Sequence, residues 1–345
     1  MPRDLTSLPC PAALRGIAVA AAASRVPALR AAFRAGPSFP TTAARPSLKT
    51  NHHDLVTDYD RSTEAALVRA LTDAVPGSRV LGEETGAHGD PDHPLRWIVD
   101  PIDGTSNFAH GFALFSVSIA AEVDGELVAG AIADPAAGQV FSSDDAGAWL
   151  ADLCLADLEL PSAGIEDAPS PGAAALASPG RLEEATGAPE AGAVVVKDER
   201  PLAEVSRPAP EAALGERGLN LVTSYPAGEA LAMEGSAALE RFGELVRTYA
   251  TVRRTVSGAL ELAYTAAGWA DAALYVDTKP WDVAAGVHLL RAAGGTWLSG
   301  TWLSGTRLGE DHTAPVALAL APGRRAPTAE RVMSEILETR VTSGS

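Results

Sequence analysis

The chain has 345 residues, of which 46% are hydrophobic, and carries a formal net charge of −17 with a pI near 4.8. This length provides for one large domain or two ordinary ones, and the mean hydropathy of +0.06 excludes a disordered chain. The acidic balance argues against nonspecific nucleic-acid binding, although it leaves room for a local basic patch.

The N-terminal stretch and the cysteine content bear on the compartment. Residues 12–23 resemble a short signal core with small residues near a cleavage point, but Arg15 interrupts the run. We therefore expect an amphipathic helix over residues 12–34 and no run that approaches a transmembrane span. Cys10 and Cys154 are too few for a disulfide framework and lack metal-ligand spacing. Together these features predict a cytoplasmic protein with no membrane partner.

The N-terminal half alternates helical and β-rich patterns. In its β-rich part, Asp124-Gly125 stands between two apolar alternating segments, which is typical of a hairpin turn. The predicted elements are a Pro-, Ser- and Thr-rich loop up to about residue 57, a helix over 60–75, strands at 78–82 and 96–100, and a β-rich block over 113–150.

The middle of the chain changes character. Between residues 157 and 218, Pro, Ala, Gly and Glu dominate, and only residues 193–196 resemble a strand. We interpret 157–218 as an inserted, partly flexible segment and not as a domain. The chain then divides into an N-terminal α+β half over 1–156, this insertion, and a C-terminal α/β half over 219–345.

Regular patterns return in the C-terminal half. The segment 296–300 is repeated at once as 301–305, and two copies of five residues favour a duplicated β-turn segment over a solenoid. The predicted elements are a strand over 219–224, a helix around 228–248, a helix over 257–267, a strand over 271–276 and a helix over 281–293.

The most informative stretch is an apolar strand that ends in Asp100 and Asp103. Pro101 removes a backbone donor, so we expect the chain to leave the sheet between the two acids. Gly104 permits a tight turn, and residues 105–107 are suited to opening a helix. This arrangement predicts two carboxylates beside a helix N-terminus, where divalent metal and phosphate are natural ligands.

Acidic residues also stand at three other predicted element ends. Each group alone has a structural explanation, because Asp60 and Asp282 are plausible helix N-caps and Glu83-Glu84 is a plausible solvated turn. Taken together with the Asp100 and Asp103 pair, they are hard oxygen ligands from several elements without a His or Cys set. That combination favours Mg²⁺ over Zn²⁺.

The motifs at these positions resemble the inositol monophosphatase family. The resemblance covers roughly residues 12–155 and 219–340, and the upstream Lys49 and residues 54–60 match in order and spacing. It implies a layered αβαβα fold and a homodimer. The matching motifs are Gly-Glu-Glu at 82–84, Trp-Ile-Val-Asp-Pro-Ile-Asp-Gly-Thr-Ser-Asn-Phe at 97–108 and Trp-Asp-Val-Ala-Ala-Gly at 281–286.

The resemblance also implies a ligand set for the metals. Glu83, Asp100 and the carbonyl of Ile102 would hold one ion, and Asp100, Asp103 and Asp282 would hold a second, with Asp100 bridging. Two Mg²⁺ ions roughly 4 Å apart can clamp the attacking and leaving oxygens of an in-line displacement.

Further roles follow from the same resemblance. Thr105 and Asp60 would orient the attacking water and help to deprotonate it, with Glu83 also near it. The backbone amides of Gly104 and Thr105 would receive phosphate oxygens. Lys49 would lie on a loop that approaches the metals and steadies an outer ion, giving two or three Mg²⁺ ions with inhibition by Li⁺.

Substrate selection is where the chain departs from the family pattern. Val256 stands where the family has a glycine, immediately before Ser257. The glutamate that binds substrate hydroxyls in inositol phosphatases corresponds to Tyr275 by ungapped counting, or to Asp277 if the loop is two residues shorter. Ser257, Tyr275 and Asp277 are therefore the candidate substrate residues.

The leading hypothesis is a Mg²⁺-dependent phosphomonoesterase that acts on a small polyol or sugar phosphate, with inositol 1-phosphate first. Histidinol phosphate, fructose bisphosphate and nucleoside 3′-phosphates follow as alternatives within a specialised pathway. A hypothesis of another class is a nonenzymatic regulator, because some bacterial relatives bind the transcription machinery. A degenerate regulator is expected to lose metal ligands, and every predicted ligand is present in this chain.

Overall fold

A computed structural model describes residues 8–35, 47–48, 55–56, 58–155, 194–300 and 312–343. The helices in these ranges are α1 (Pro11–Arg34), α2 (Asp58–Ala74), α3 (Thr105–His110), α4 (Leu202–Val205), α5 (Gly228–Glu234), α6 (Ser236–Thr248), α7 (Gly258–Ala266), α8 (Pro280–Ala292) and α9 (Pro327–Ser343), with a 3₁₀ helix at Ala212–Gly218. The strands are β1 (Ser47–Leu48), β2 (Leu55–Val56), β3 (Arg79–Gly82), β4 (Gly86–His88), β5 (Leu95–Asp103), β6 (Ser116–Val123), β7 (Glu126–Asp134), β8 (Gln139–Asp144), β9 (Gly147–Leu155), β10 (Val194–Pro201), β11 (Asn220–Thr223), β12 (Thr251–Arg253), β13 (Ala272–Val276), β14 (Thr296–Gly300) and β15 (Val316–Leu320).

Eight strands form the larger sheet, in the order β10-β9-β8-β7-β6-β5-β3-β4. Neighbours are antiparallel except β3 and β5, which run parallel. The predicted hairpin is confirmed between β6 and β7, where Asp124 and Gly125 have φ of 50° and 92°, the conformation that a two-residue turn of this hand requires. The carboxyl ends of β3 and β5 therefore meet at one edge of this sheet.

Five strands form the smaller sheet, in the order β12-β11-β13-β15-β14. The first three run parallel, and β15 is antiparallel to both β13 and β14. Because β12, β11 and β13 are parallel, the loops that follow them all leave the same edge. That edge is the usual position for ligands in sheets of this kind.

Successive residues of a strand point to opposite faces of the sheet. In both sheets these faces carry apolar side chains, so helices pack on both sides. On β5, Trp97 belongs to the core under α1 and α2, whereas Ile98 belongs to the core around α7 and α8. On β11, Val222 shares that middle core, whereas Leu221 packs in a third core with residues of α6 and α9. The layers are α1/α2, large sheet, α7/α8, small sheet and α5/α6/α9, so the predicted αβαβα fold is confirmed.

Helix α1 meets the length and composition of a membrane span, with 24 residues and a mean hydropathy of 1.3 in its most apolar window. The prediction that no run approaches such a span is therefore wrong by these two measures. More than half of that window is buried within the fold, and a core helix and a signal sequence give the same result. Leu14 and Leu29 pack into the core beneath the large sheet.

Several sequence expectations change in detail. The chain does not leave the sheet between Asp100 and Asp103, because β5 continues through both acids with an irregular register. The helix expected around 228–248 is two helices, since Gly235 has φ 60° and ψ −135°, which an α-helix cannot continue through. The first copy of the repeat is β14, and the second copy lies outside the described residues.

Residues 194–218 of the predicted insertion are folded. Strand β10 pairs with β9 and forms an edge of the large sheet, and α4 and the 3₁₀ helix follow it. Residues 156–193 lie outside the described residues. The three-part division of the chain stays a prediction.

Candidate active site

Glu83 and Asp100 become neighbours through the parallel pairing of β3 and β5. Gly82 lies opposite Val99 in that register. The residues that follow them, Glu83 and Asp100, therefore lie side by side at the carboxyl edge. The Glu83 carboxyl group lies close enough to Asp100 to raise the pKa of Asp100. Two acids 17 positions apart in sequence are thus joined by strand pairing alone.

An irregularity in β5 directs both of its acids into the site. Asp100 pairs with Ser118 and Asp103 with Ser116, so two strand residues of β5 have no partner between them. The backbone N–H of Ile102 in this bulge donates to Asp100 Oδ1 at 3.0 Å. Bulges of this kind redirect side chains, and this one turns two acids of one strand toward one place.

Asp103 is fixed by donors from two different layers. Its Oδ2 accepts hydrogen bonds from Ser116 Oγ at 3.0 Å, from the Ala259 N–H at 3.2 Å and from Ser257 Oγ. Ser116 belongs to the large sheet, whereas Ser257 and Ala259 stand at the start of α7. These contacts hold the side chain in one orientation and attach the middle layer to the end of β5.

Asp282 reaches the site from the first turn of α8. It accepts the Lys279 backbone N–H on Oδ2 at 2.7 Å. The expected N-cap role is therefore wrong in position, because Lys279 is the N-cap and Asp282, at the third helical position, completes a capping box with it. Its charge also acts on Asp100. The same side chain therefore caps a helix and contributes to the acidic cluster.

Burial and mutual repulsion disfavour the ionised forms of these acids. Burial, followed by the charges of Glu83, Asp103 and Asp282, raises the pKa of Asp100 well above its usual value. Burial raises the pKa of Asp103 to about 6, although its bonds from Ser257 and Ser116 act in the opposite direction. Burial likewise raises the pKa of Asp282 to about 7 against the opposing bond from Lys279.

These features fit a hard divalent cation. Carboxylate oxygens are the ligands that Mg²⁺ prefers, and a cation would relieve the repulsion among these four neighbouring acids. Within the described ranges, no three His, Cys, Asp or Glu side chains are already gathered around one ion position. The fit therefore rests on the donor chemistry and the shared neighbourhood of Glu83, Asp100, Asp103 and Asp282.

Thr105 and Asp60 are joined across two layers beside the acids. Thr105 Oγ1 lies 2.9 Å from Asp60 Oδ1 and 2.9 Å from the carbonyl oxygen of Ile102. Asp60 is fully buried near the start of α2. Gly104 precedes Thr105 at φ 85°, and a Cβ there would lie 2.8 Å from the Leu114 carbonyl oxygen, so only glycine fits.

Glu64, which is not among the residues predicted from the sequence, fixes the loop that carries Glu83. This fully buried carboxylate accepts the backbone N–H groups of Glu84 and Thr85, both at 2.8 Å, and the Thr85 hydroxyl. A Cβ on Gly82 would lie 2.4 Å from the Glu64 carboxyl carbon, so the strand end approaches this group closely. The available signal was the spacing of four between Asp60 and Glu64, which puts both acids on one helix face.

The candidate substrate residues already have partners within the protein. Ser257 is buried on Asp103, and Tyr275 is buried with its hydroxyl donating to the Gly258 carbonyl oxygen at 3.2 Å. Asp277 forms an ion pair with Arg340 of α9. Their substrate roles stay predictions, and Lys49 lies outside the described residues.

Val256 introduces strain beside the acids. It has φ 57°, a left-handed conformation that β-branched residues rarely adopt, and its side chain is 42% exposed. Its neighbour Thr255 donates a 2.6 Å hydrogen bond to Glu261, a buried acid whose pKa burial raises to about 7. Asn107 of α3 donates through Nδ2 to the Thr255 carbonyl oxygen at 2.7 Å. The 255–257 loop is thus held from both sides.

Comparison with known proteins gives consistent matches. A profile described as Inositol monophosphatase family matches residues 12–188 and 169–302. An inositol-1-monophosphatase of Mesorhizobium japonicum is 32% identical over 242 residues, which cover 70% of this chain and 71% of that protein. The Nus factor SuhB of Pasteurella multocida is 29% identical over 244 residues, covering 70% of this chain and 71% of that protein.

Solved structures agree at the level of the fold. The extragenic suppressor protein suhB from Bartonella henselae superposes with a TM-score of 0.63 at 23% identity, covering 94% of this chain and 96% of that one. An inositol monophosphatase from Anabaena gives a TM-score of 0.60 at 23% identity, covering 94% and 95%. The layered architecture is common to all three chains.

Proposed function

Because this chain belongs to the inositol monophosphatase family, we propose that it is a Mg²⁺-dependent phosphomonoesterase for a small polyol or sugar phosphate. The observation that carries the proposal is the convergence of Glu83, Asp100, Asp103 and Asp282 in one acidic neighbourhood. These four acids come from three segments, and the charges of neighbouring acids raise the pKa of Asp100 and of Asp282. Such repulsion destabilises the fold and is typical of a functional site. Family membership supports a phosphatase and a dependence on Mg²⁺.

In this proposal, Glu83, Asp100 and the carbonyl of Ile102 would hold one ion, and Asp100, Asp103 and Asp282 would hold another. Bound Mg²⁺ supplies Lewis-acid stabilisation of the phosphoryl charge and a lowered pKa for the attacking water. A third ion near Lys49 and inhibition by Li⁺ are expected from the family. The hydrogen bonds that Asp103 and Asp282 accept go to the Oδ2 atom of each side chain. These bonds orient the two carboxylates as metal ligands.

Thr105 and Asp60 take up the proton that the attacking water loses. The Thr105 hydroxyl has one hydrogen and two acceptors, Asp60 Oδ1 and the Ile102 carbonyl oxygen. If that carbonyl held a metal ion, the hydrogen would go to Asp60 Oδ1. Thr105 Oγ1 then accepts a proton from water as it passes its own to Asp60. Glu83 is the further group assigned to orienting this water.

The backbone amides of Gly104 and Thr105 are proposed to receive the phosphate oxygens. The left-handed φ of Gly104 turns the backbone from the strand into α3 directly after Asp103. Attack forms a bond from the water oxygen to phosphorus while the opposite bond to the alcohol oxygen breaks. The departing alcohol oxygen takes up a proton from solvent, and phosphate is the second product.

Inositol 1-phosphate is the first candidate substrate, supported by the relative named inositol-1-monophosphatase. Ser257, Tyr275 and Asp277 remain the proposed substrate residues, although each has a partner within the protein. Histidinol phosphate, fructose bisphosphate and nucleoside 3′-phosphates are the alternatives.

A second candidate is a nonenzymatic regulator, which the relatives named Nus factor SuhB support. A degenerate regulator is expected to lose metal ligands, whereas every predicted ligand is present in this chain. Phosphate release from a phosphomonoester panel with and without Mg²⁺ separates the two candidates. We expect Mg²⁺-dependent release that Li⁺ lowers, and no release from any panel member at any Mg²⁺ concentration would refute the enzyme.

We further propose a cytoplasmic homodimer. Two cysteines outside any disulfide framework support the compartment, and family membership supports the dimer. Light scattering coupled to gel filtration tests the dimer, for which we expect twice the 35.4 kDa chain mass.

A further inference from the structure

The loop that leads to Asp282 is short and begins in an unusual backbone conformation. Residues 277–279 are the whole connection between β13 and α8. Asp277 has φ 66°, a left-handed conformation that residues other than glycine seldom adopt. Lys279, at the other end of the loop, donates its backbone N–H to Asp282 Oδ2 at 2.7 Å. The position of this loop therefore sets the direction of the Asp282 carboxylate.

Arg340 of α9 holds the first residue of this loop. Its guanidinium forms an ion pair with Asp277, which stands 63 positions earlier in the sequence. The middle residue, Thr278, has a longer backbone contact, with its N–H 3.3 Å from the Pro315 carbonyl oxygen. Hydrogen bonds between two charged groups are roughly twice as strong as those between neutral groups. The ion pair therefore anchors the loop to a helix of the outer layer.

A buried carboxylate keeps Arg340 itself in place. The side chain of Glu234, at the end of α5, is fully buried, and its Oε1 accepts a hydrogen bond from Arg340 Nε at 2.9 Å. Its Oε2 accepts from the Tyr225 hydroxyl at 2.6 Å and from Arg241 Nη1 at 2.8 Å. The Arg340 side chain is 4% exposed, whereas that of Asp277 is 35% exposed. The arginine is thus a rigid anchor, and the aspartate is the end that faces the loop.

We propose that Arg340 is a positioning residue for the metal ion that Asp282 would hold. Arg340 holds Asp277, this ion pair fixes the loop, and the backbone N–H of Lys279 then directs the Asp282 carboxylate. The inference rests on the proposed Mg²⁺ dependence and adds to it a residue outside the acidic cluster. Asp277 acts through the loop in this arrangement, whereas the substrate role proposed for it requires contact with substrate hydroxyls.

The test breaks the ion pair from each end and measures metal binding without turnover. Asp277→Asn keeps the shape of the side chain and tolerates the left-handed backbone, and Arg340→Gln removes the other partner. Electron paramagnetic resonance of free Mn²⁺ follows binding during a titration. We expect the unmodified protein to bind two ions and each variant to bind one of them about tenfold more weakly, with the other unchanged. The double variant should bind no more weakly than Asp277→Asn, because both changes remove one contact.

Two control variants separate positioning from general stability. Asp198→Asn makes the same change at an exposed aspartate of β10 with φ 53°, and it should leave Mn²⁺ binding unchanged. Tyr225→Phe removes one hydrogen bond to Glu234 but leaves the ion pair with Asp277, so it should lower Tm without weakening Mn²⁺ binding. If Tyr225→Phe weakened Mn²⁺ binding as much as Asp277→Asn, lost stability would explain the effect and the proposal would be wrong.

The remaining outcomes also decide the proposal. Equal Mn²⁺ binding by Asp277→Asn and Asp198→Asn would overturn it, even if Arg340→Gln failed to fold. A higher KM of Asp277→Asn at saturating Mg²⁺, with unchanged Mn²⁺ binding, would assign Asp277 to the substrate and would overturn it as well. If no panel member released phosphate, the phosphatase function would fail, whereas the Mn²⁺ titration would still decide the role of Arg340.

Discussion

Replacement of Glu64 by Gln tests whether the loop carrying Glu83 is set by a buried carboxylate. Glu64 accepts two backbone N–H groups at 2.8 Å and the Thr85 hydroxyl. Gln has nearly the same shape but only one accepting oxygen, so its NH₂ group must face a backbone N–H. The substitution therefore removes charge-assisted bonds and leaves one donor without a partner.

The size of the effect follows from those contacts. A hydrogen bond to a charged group contributes about 1.5–3 kcal/mol, and a buried unpaired donor costs about 1–3 kcal/mol. Both N–H bonds are only partly buried, so we expect the free energy of unfolding to fall by about 2 kcal/mol. Partners that orient metal ligands typically change metal affinity 10–100-fold, so Mg²⁺ binding should weaken by about that factor.

Two measurements check this prediction. Urea denaturation gives the change in stability, and the Mg²⁺ dependence of phosphate release gives the affinity. The matched control is Glu240→Gln, which changes an exposed acid of α6. If Glu64→Gln bound Mg²⁺ as the control does, the loop would not depend on Glu64 and the reasoning would be wrong.

Three further predictions concern the same region. Thr105→Val should lower kcat by about 10²–10⁴ with little change in Mg²⁺ affinity, because it removes the proton relay to Asp60; a kcat within threefold of the unmodified protein would exclude that relay. Val256→Gly should raise the free energy of unfolding by about 1 kcal/mol, because it removes the backbone strain of a β-branched residue in the left-handed conformation, and this gain exceeds the entropic cost of glycine. A lower urea midpoint for the variant would contradict this. Burial raises the pKa of Asp103 to about 6 and of Asp282 to about 7, so without Mg²⁺ stability should fall as pH rises from about 4 to 7. Saturating Mg²⁺ should remove that fall in thermal unfolding, and an identical pH dependence with and without Mg²⁺ would refute it.

Local sequence patterns were sufficient for the elements that carry the acids. The apolar run before Asp100 predicts a strand, and Asp124-Gly125 predicts a hairpin turn. Both predictions depend only on neighbouring residues, and both elements are present. The predicted exit of the chain at Pro101 was wrong because a bulge accommodates one extra residue, with Pro101 and Ile102 opposite Val117, and pairing resumes at Asp103. A missing N–H interrupts a ladder without ending the strand.

Contacts between distant segments could not be predicted in the same way. Glu64 acts on a loop 20 residues away, and Asp277 is paired with Arg340 from a helix 63 residues later. No sequence period or motif predicts the Asp277–Arg340 contact. For Glu64, the spacing of four from Asp60 predicts its helix face but not the loop that it contacts. Strand β15 and helix α9 were not predicted either, and α9 supplies the partner that occupies Asp277.

Anomalous scattering from crystals grown with Mn²⁺ in place of Mg²⁺ tests the central claim most directly. We predict two strong peaks about 4 Å apart, with Asp100 contacting both. The first should also contact Glu83 and the Ile102 carbonyl oxygen, and the second should contact Asp103 and Asp282. A saturated crystal without a peak at Asp100, or with its Mn²⁺ bound only elsewhere, would contradict the account.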